Sequence, residues 1–114
     1  MFTRSLAAAS KSGAPIFAAL GDETRLRLVA RLCEGGPLSI ARLTEGEEMT
    51  RQAITKHLAV LAEAGLVVDV WRGRERLWQL EPTPLEAARG YLDLVSQRWD
   101  VSLARLKALV ETDD

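Results

Sequence analysis

Met49-Thr50-Arg51-Gln52-Ala53-Ile54-Thr55-Lys56-His57-Leu58-Ala59-Val60-Leu61-Ala62-Glu63-Ala64-Gly65-Leu66 is the stretch on which the fold turns. Thr50 is a capping residue and Gly65 a stop, so the segment between them is predicted to be a helix. At about 100° per residue, Ile54, Leu58, Leu61 and Gly65 share one face, and Gln52, Thr55, Lys56 and Ala59 share the other. The second face holds donors and acceptors, with no acidic residue before Glu63. A solvated helix surface ordinarily mixes both signs of charge. A Gln, Thr and Lys face suits a groove lined by base edges and phosphates.

Leu66-Val67-Val68-Asp69-Val70-Trp71 and Glu75-Arg76-Leu77-Trp78-Gln79-Leu80 are β-branched and aromatic enough to be two strands, joined by Arg72-Gly73-Arg74. Upstream, a first helix is expected over much of Thr3 to Leu20, with an interruption near Gly13 and Pro15. Asp22 caps a second helix running to about Glu34, with Leu26, Val29, Leu32 and Cys33 turned inward and Arg27 and Arg31 outward. Gly35-Gly36-Pro37 stops it. Leu38 to Leu43 is predicted as a short third helix, with Ser39 as cap and Ile40 and Leu43 facing the core. Thr44-Glu45-Gly46-Glu47-Glu48 connects it to the long helix. The predicted architecture is mainly α with a two-stranded β-wing: a winged helix-turn-helix.

Thr83-Pro84-Leu85-Glu86 has the form of a capping box with proline in the first turn, and a final helix is expected from there to about Thr112, roughly 40 Å long. Its apolar positions Leu85, Ala88, Leu92, Val95, Trp99, Leu106 and Leu109 recur at three-four spacing. Such a seam needs a partner helix, and a small domain has little to offer it. Two copies joined through this helix, with help from the first, form the expected homodimer, with Leu92, Val95, Trp99, Leu106 and Leu109 as dimerisation residues.

The 114 residues suit one domain, residues 1–114, with 47% apolar and 27% charged residues and a formal charge of −1. The total excludes a histone-like basic binder, but charge is unevenly placed. Arg51, Lys56, Arg72, Arg74 and Arg76 lie in one stretch against Glu63, Asp69 and Glu75, while Glu45, Glu47, Glu48, Asp113 and Asp114 lie elsewhere. Cys33 is alone, so no intrachain disulfide forms. No apolar run approaches the roughly 20 residues of a membrane span. The acid-free N-terminus, with Arg4 and Lys11, has some transit-peptide character, but Ile16, Phe17 and Leu20 continue it as a helix. A cytoplasmic protein is expected. Neither paired carboxylates, a nucleophile with its base, nor a phosphate loop marks an enzyme.

The order of elements resembles the ArsR/SmtB family of dimeric bacterial repressors. The matching residues are Phe17-Ala18-Ala19-Leu20-Gly21-Asp22-Glu23-Thr24-Arg25-Leu26-Arg27-Leu28, then Arg51 to Leu58, then Ala64-Gly65-Leu66-Val67 and Gly73-Arg74, across roughly residues 14 to 82. The resemblance implies an operator-binding winged-helix dimer released by a signal. Metal-sensing members carry a Cys pair in the third helix, or Asp, His and Glu ligands in the last. Here Leu38 to Leu43 has neither Cys nor His and the last helix has no His. The resemblance is therefore to the metal-independent branch, with no cofactor and no metal site.

Gln52, Thr55 and Lys56 are the candidate groove residues, and Arg51 straddles base and phosphate. Thr50 caps the helix within reach of phosphate. His57, beside the apolar face, takes a structural or phosphate-bonding role. Arg72 and Arg74 suit the narrow minor groove or its flanking phosphates, and Arg76 pairs with an acid such as Asp69. Cys33 is expected to be a small buried hydrophobe, with redox sensing the weaker reading. Trp71, Trp78, Tyr91 and Trp99 are expected in the core, with an effector cavity as the alternative. The partner is a near-palindromic duplex operator, with a small-molecule or redox inducer unidentified. The competing reading is a winged-helix module that binds protein.

Overall fold

The computed structural model describes residues 5–111. Helix α1, Leu6–Leu20, starts where Ser5 Oγ accepts the Ala8 amide at 3.1 Å. It runs unbroken through Gly13 and Pro15, contrary to the expected interruption. Gly13 is a packing position instead. A Cβ there would lie 3.4 Å from the Phe17 ring and 3.8 Å from Tyr91 Cβ. The two rings meet edge-to-face, with centroids 5.6 Å apart, where α1 lies on the last helix. The packing of α1 along α5, of which this contact is one part, holds the helix straight on through the hydrogen bond lost at proline. The expected start at Thr3 lies outside the described residues.

Asp22 caps α2, Glu23–Gly35, by accepting the Arg25 amide at 3.0 Å. Thr24, Leu28 and Leu32 are its buried line, at i, i+4 and i+8. This corrects two expectations. Leu26 is half exposed and Cys33 is exposed, because Leu28 rather than Leu26 centres the inward stripe.

Leu38–Ser39 is a short strand, β1, and not the start of a helix. It pairs antiparallel with Leu77 and Trp78, so the sheet has three strands rather than the two expected. Pairing with a remote strand overrides local helix propensity here. Ser39 still caps α3, Ile40–Thr44, and Leu43 is fully buried.

Helix α4, Arg51–Glu63, follows the reading of its sequence. Thr50 Oγ1 accepts the Ala53 amide, and Ile54, Leu58 and Leu61 are fully buried. Its end is a Schellman turn: Leu66 N–H bonds Leu61 C=O at 2.9 Å, and Gly65 carries φ +78°, a value that favours glycine. Strands β2, Val67–Arg72, and β3, Glu75–Leu80, form an antiparallel hairpin in sheet order β1-β3-β2. The register pairs Arg72 with Glu75, leaving Gly73-Arg74 as a two-residue turn. Only Gly73, at φ +63°, has positive φ there, which is the type II′ pattern.

The last helix, α5, covers Pro82–Glu111, so Thr83 sits inside the first turn instead of capping it. Thr112 and the acids Asp113 and Asp114 lie outside the described residues. The core joins Ile16 and Ala19 of α1, Leu28 and Leu32 of α2, Leu43 of α3, the α4 face, Leu66, Val67, Trp78 and Ala88. The described residues span 70 × 34 × 21 Å with a radius of gyration of 19.2 Å. A compact domain of this size has about 13 Å. The excess comes from α5, of which only Ala88 is buried. Among the described residues, no helix is long and apolar enough to cross a membrane.

Candidate nucleic-acid interface

On α4, Arg51, Gln52, Thr55, Lys56 and Ala59 are exposed, and the face they form carries no acid. The core anchors Ile54, Leu58 and Leu61 fix its rotation. Thr55 Oγ1 donates to Arg51 C=O at 2.7 Å. Its proton is therefore engaged, leaving lone pairs and a methyl group outward. Arg51 sits in the first turn of α4, where the helix dipole is positive and disfavours a cation. That placement serves something other than helix stability. Arg72 and Arg74 are exposed at the hairpin tip.

Several arginines are engaged within the fold. Arg76 donates to Asp69 Oδ2 at 2.9 Å, as its sequence position implied, and lies 4.6 Å from the Trp78 ring centroid. On α2, Arg25, Arg27 and Arg31 are all engaged internally. By contrast, none of the ion pairs among the described residues involves Arg51, Lys56, Arg72 or Arg74.

The α2 arginines are a frame that the sequence reading missed. Arg31 donates to the carbonyls of Arg42, Leu43 and Glu45 at 2.6, 2.8 and 3.2 Å, satisfying the open end of α3. Arg27 grips Glu47 with a two-pronged fork, at 3.1 and 2.9 Å. That hydrogen bond holds the Glu47 carboxyl below its usual range and raises the arginine. The connection ahead of α4 is thereby tied to α2 at both ends. Arg27 and Arg31, four apart on one helix, together with the acid-rich loop, were the available signal; their pairing is long-range and has no local signature.

His57 is on the flank of α4 turned toward α2. Its Nδ1 lies 3.2 Å from Arg25 Nη1 and 3.8 Å from Asp22 Oδ2. Arg25 also donates to the α1 carbonyls of Ala18 and Ala19. It thus joins three helices at one point. The Arg25 amide, bonded to the Asp22 carboxylate, lowers that acid's pKa. Among the described residues, no cluster of three or more His, Cys, Asp or Glu side chains is placed to hold a metal ion.

The aromatic residues are dispersed. Trp78 is core and Tyr91 is half-buried against Phe17, but Trp71 and Trp99 are exposed, contrary to the core expectation. On α5, Leu92, Val95, Trp99 and Leu106 form an exposed apolar line, and Leu109, further along, is exposed as well.

A family model of a helix-turn-helix domain matches residues 20–70. An HTH-type transcriptional regulator, Rv2034 of Mycobacterium tuberculosis, is 38% identical over 95 residues, covering 83% of this chain and 85% of that protein. The arsenical resistance operon repressor of Escherichia coli is 32% identical over 96 residues, covering 83% and 79%. Among solved structures, an ArsR-like transcriptional regulator from Rhodococcus sp. RHA1 superposes with a TM-score of 0.74 at 34% identity, over 87% of this chain and 92% of that one. With its buried α4 anchors, its hairpin and these relatives, the chain belongs to the ArsR family of winged helix-turn-helix, DNA-binding transcriptional regulators.

Proposed function

We propose that this protein is a homodimeric repressor in which residues 1–114 form one winged-helix domain, with α1 and α5 supplying the dimer interface. Two copies cover a near-palindromic operator, their α4 helices entering successive major grooves about 34 Å apart. The carrying observation is the contrast among cations: α2 arginines are held internally, while Arg51, Lys56, Arg72 and Arg74 stand exposed around an acid-free helix face. Gln52 reads a base edge. Thr55, its proton already committed, accepts from a base or packs its methyl on thymine. Lys56 and Arg51 take phosphate or guanine, Thr50 and His57 flank the phosphates, and Arg72 and Arg74 enter the adjacent minor groove.

Dimerisation follows from α5. A line of Leu92, Val95, Trp99 and Leu106 left in water along one helix is a contiguous apolar stripe of the kind that marks a protein–protein interface. Repression follows from occupying the operator against polymerase, in keeping with the repressor name of the Escherichia coli relative. That relative's arsenical signal is not carried over: soft ions select thiolates, and this chain supplies Cys33 alone. The inducer is therefore a metal-independent signal, acting through its differential affinity for the dimer geometries. A repressor that occupies an operator works where the DNA is, and the cytoplasm is the location this reading assigns.

The rival reading, a protein-binding module, drew support from the acidic loop. Glu47 is engaged by Arg27, so that loop offers less free charge than its composition implies. Anisotropy titration with duplex fragments from the chromosomal region upstream of its own reading frame, against random competitor, tests the proposal. Saturable binding that survives competitor supports it. Equal competition by random DNA, or a monomer in solution at micromolar concentration, removes it.

A further inference from the structure

Away from α5, the exposed large apolar side chains among the described residues are Leu26, Val60 and Trp71, and Trp71 is the largest and the most exposed, at 64%. It sits on β2 immediately before the hairpin tip. By register its cross-strand partner is Arg76, the residue best placed to cover an indole with a cation. Arg76 turns away: its guanidinium bonds Asp69 and lies over Trp78. Strand alternation puts Asp69, Trp71, Arg76 and Trp78 on one face of the hairpin, so the inner three residues close on one another and leave the indole bare.

The surroundings of that indole select its occupant. Asp69 is neutralised by Arg76, and Arg72 and Arg74 flank the tip, against one acid, Glu75, opposite Arg72. A flat apolar ring on one face of the hairpin, with Arg72 turned to the other face and Arg74 at the tip, matches the wall of a duplex groove, where deoxyribose and base edges lie between phosphates. The hairpin packs on β1, α2, α3 and α4, whereas the apolar seam suited to a second copy lies on α5, which packs on α1. We propose that Trp71 is a DNA-contacting residue whose indole packs against sugar and base edges of the minor groove entered by the wing. It supplies a grip that does not depend on ion release. This rests on the DNA-binding reading above.

The test uses the full chain and a fluorescein-labelled duplex of about 30 base pairs carrying the selected operator. Trp71→Ala is expected to weaken binding about tenfold or more, equally at low and moderate salt, with the log–log salt slope unchanged. Trp71→Phe is expected to restore most of the affinity. Wild-type indole emission should be quenched on adding duplex, and Trp71→Phe should lose most of that change. Wild-type binding with an unaltered Trp71→Ala affinity overturns the inference and leaves the DNA-binding reading standing. So does a slope that falls along with the affinity, which would make Trp71 a support for the arginines. A concentration-dependent emission change without DNA that Trp71→Phe abolishes would assign this indole, rather than Trp99 of the α5 seam, to self-association and also overturn the inference. Failure of the wild type to bind any duplex sinks both readings.

Discussion

Replacing Lys56 by Ala gives the most quantitative test of the interface, because it separates charge from shape. Each protomer exposes Arg51, Lys56, Arg72 and Arg74 around the α4 face and the hairpin tip, and none joins an ion pair among the described residues. If every one of these cations neutralises a phosphate, a two-fold dimer displaces about eight counterions, and the slope of log K against log salt is about −7. Lys56→Ala removes two of them, one per protomer, and brings the slope to about −5.4. Between about 50 and 200 mM salt, the wild-type advantage over the variant should therefore shrink about twelvefold. Anisotropy titration of one labelled operator across that range reads this directly. Lys107→Ala is the control: Lys107 lies on α5 beside Glu111, 3.9 Å away, and its loss should leave the slope alone. The reasoning is refuted if Lys56→Ala lowers affinity with no change of slope, or if Lys107→Ala changes it equally.

Leu58 is fully buried at the centre of the α4 anchor line, and Leu58→Ala should destabilise the protein by about 2–5 kcal/mol, seen as a lower urea midpoint at fixed protein concentration. Glu47 has a folded pKa below its ordinary 4.5, so its contribution to stability is present above that pH and lost as pH falls through the lowered value. Glu47→Gln should accordingly flatten the acid limb of the melting temperature against pH, and an unchanged limb would discount the Arg27 fork. Asp22 contributes to the same limb with the same sign, through the Arg25 amide that it accepts. Trp99→Glu places a charge in the α5 seam and should yield monomers in sedimentation velocity, with loss of operator binding; a dimer of unaltered strength would move the interface elsewhere.

Local chemistry in the sequence was enough to determine the elements that depend on it. Thr50, Ser39 and Asp22 cap where cap residues should, because a side-chain oxygen satisfies an amide three residues away. Ile54, Leu58 and Leu61 declare the buried face of α4 by period alone, and that also exposes Gln52, Thr55 and Lys56. Asp69 and Arg76 could be paired from strand alternation. What tertiary structure alone decided involves partners far apart in the chain. Leu38 and Ser39 become a strand because Leu77 and Trp78 offer them a ladder. Helix α1 keeps its course through Pro15, packed against α5 around Tyr91. Arg25, Arg27 and Arg31 bond carbonyls and a carboxylate on other elements, whereas Cys33 and Trp71, apolar enough to be expected inside, are left outside. Periodicity reports which residues share a face, but which face meets another element is set by long-range packing, and no window along the chain contains that information.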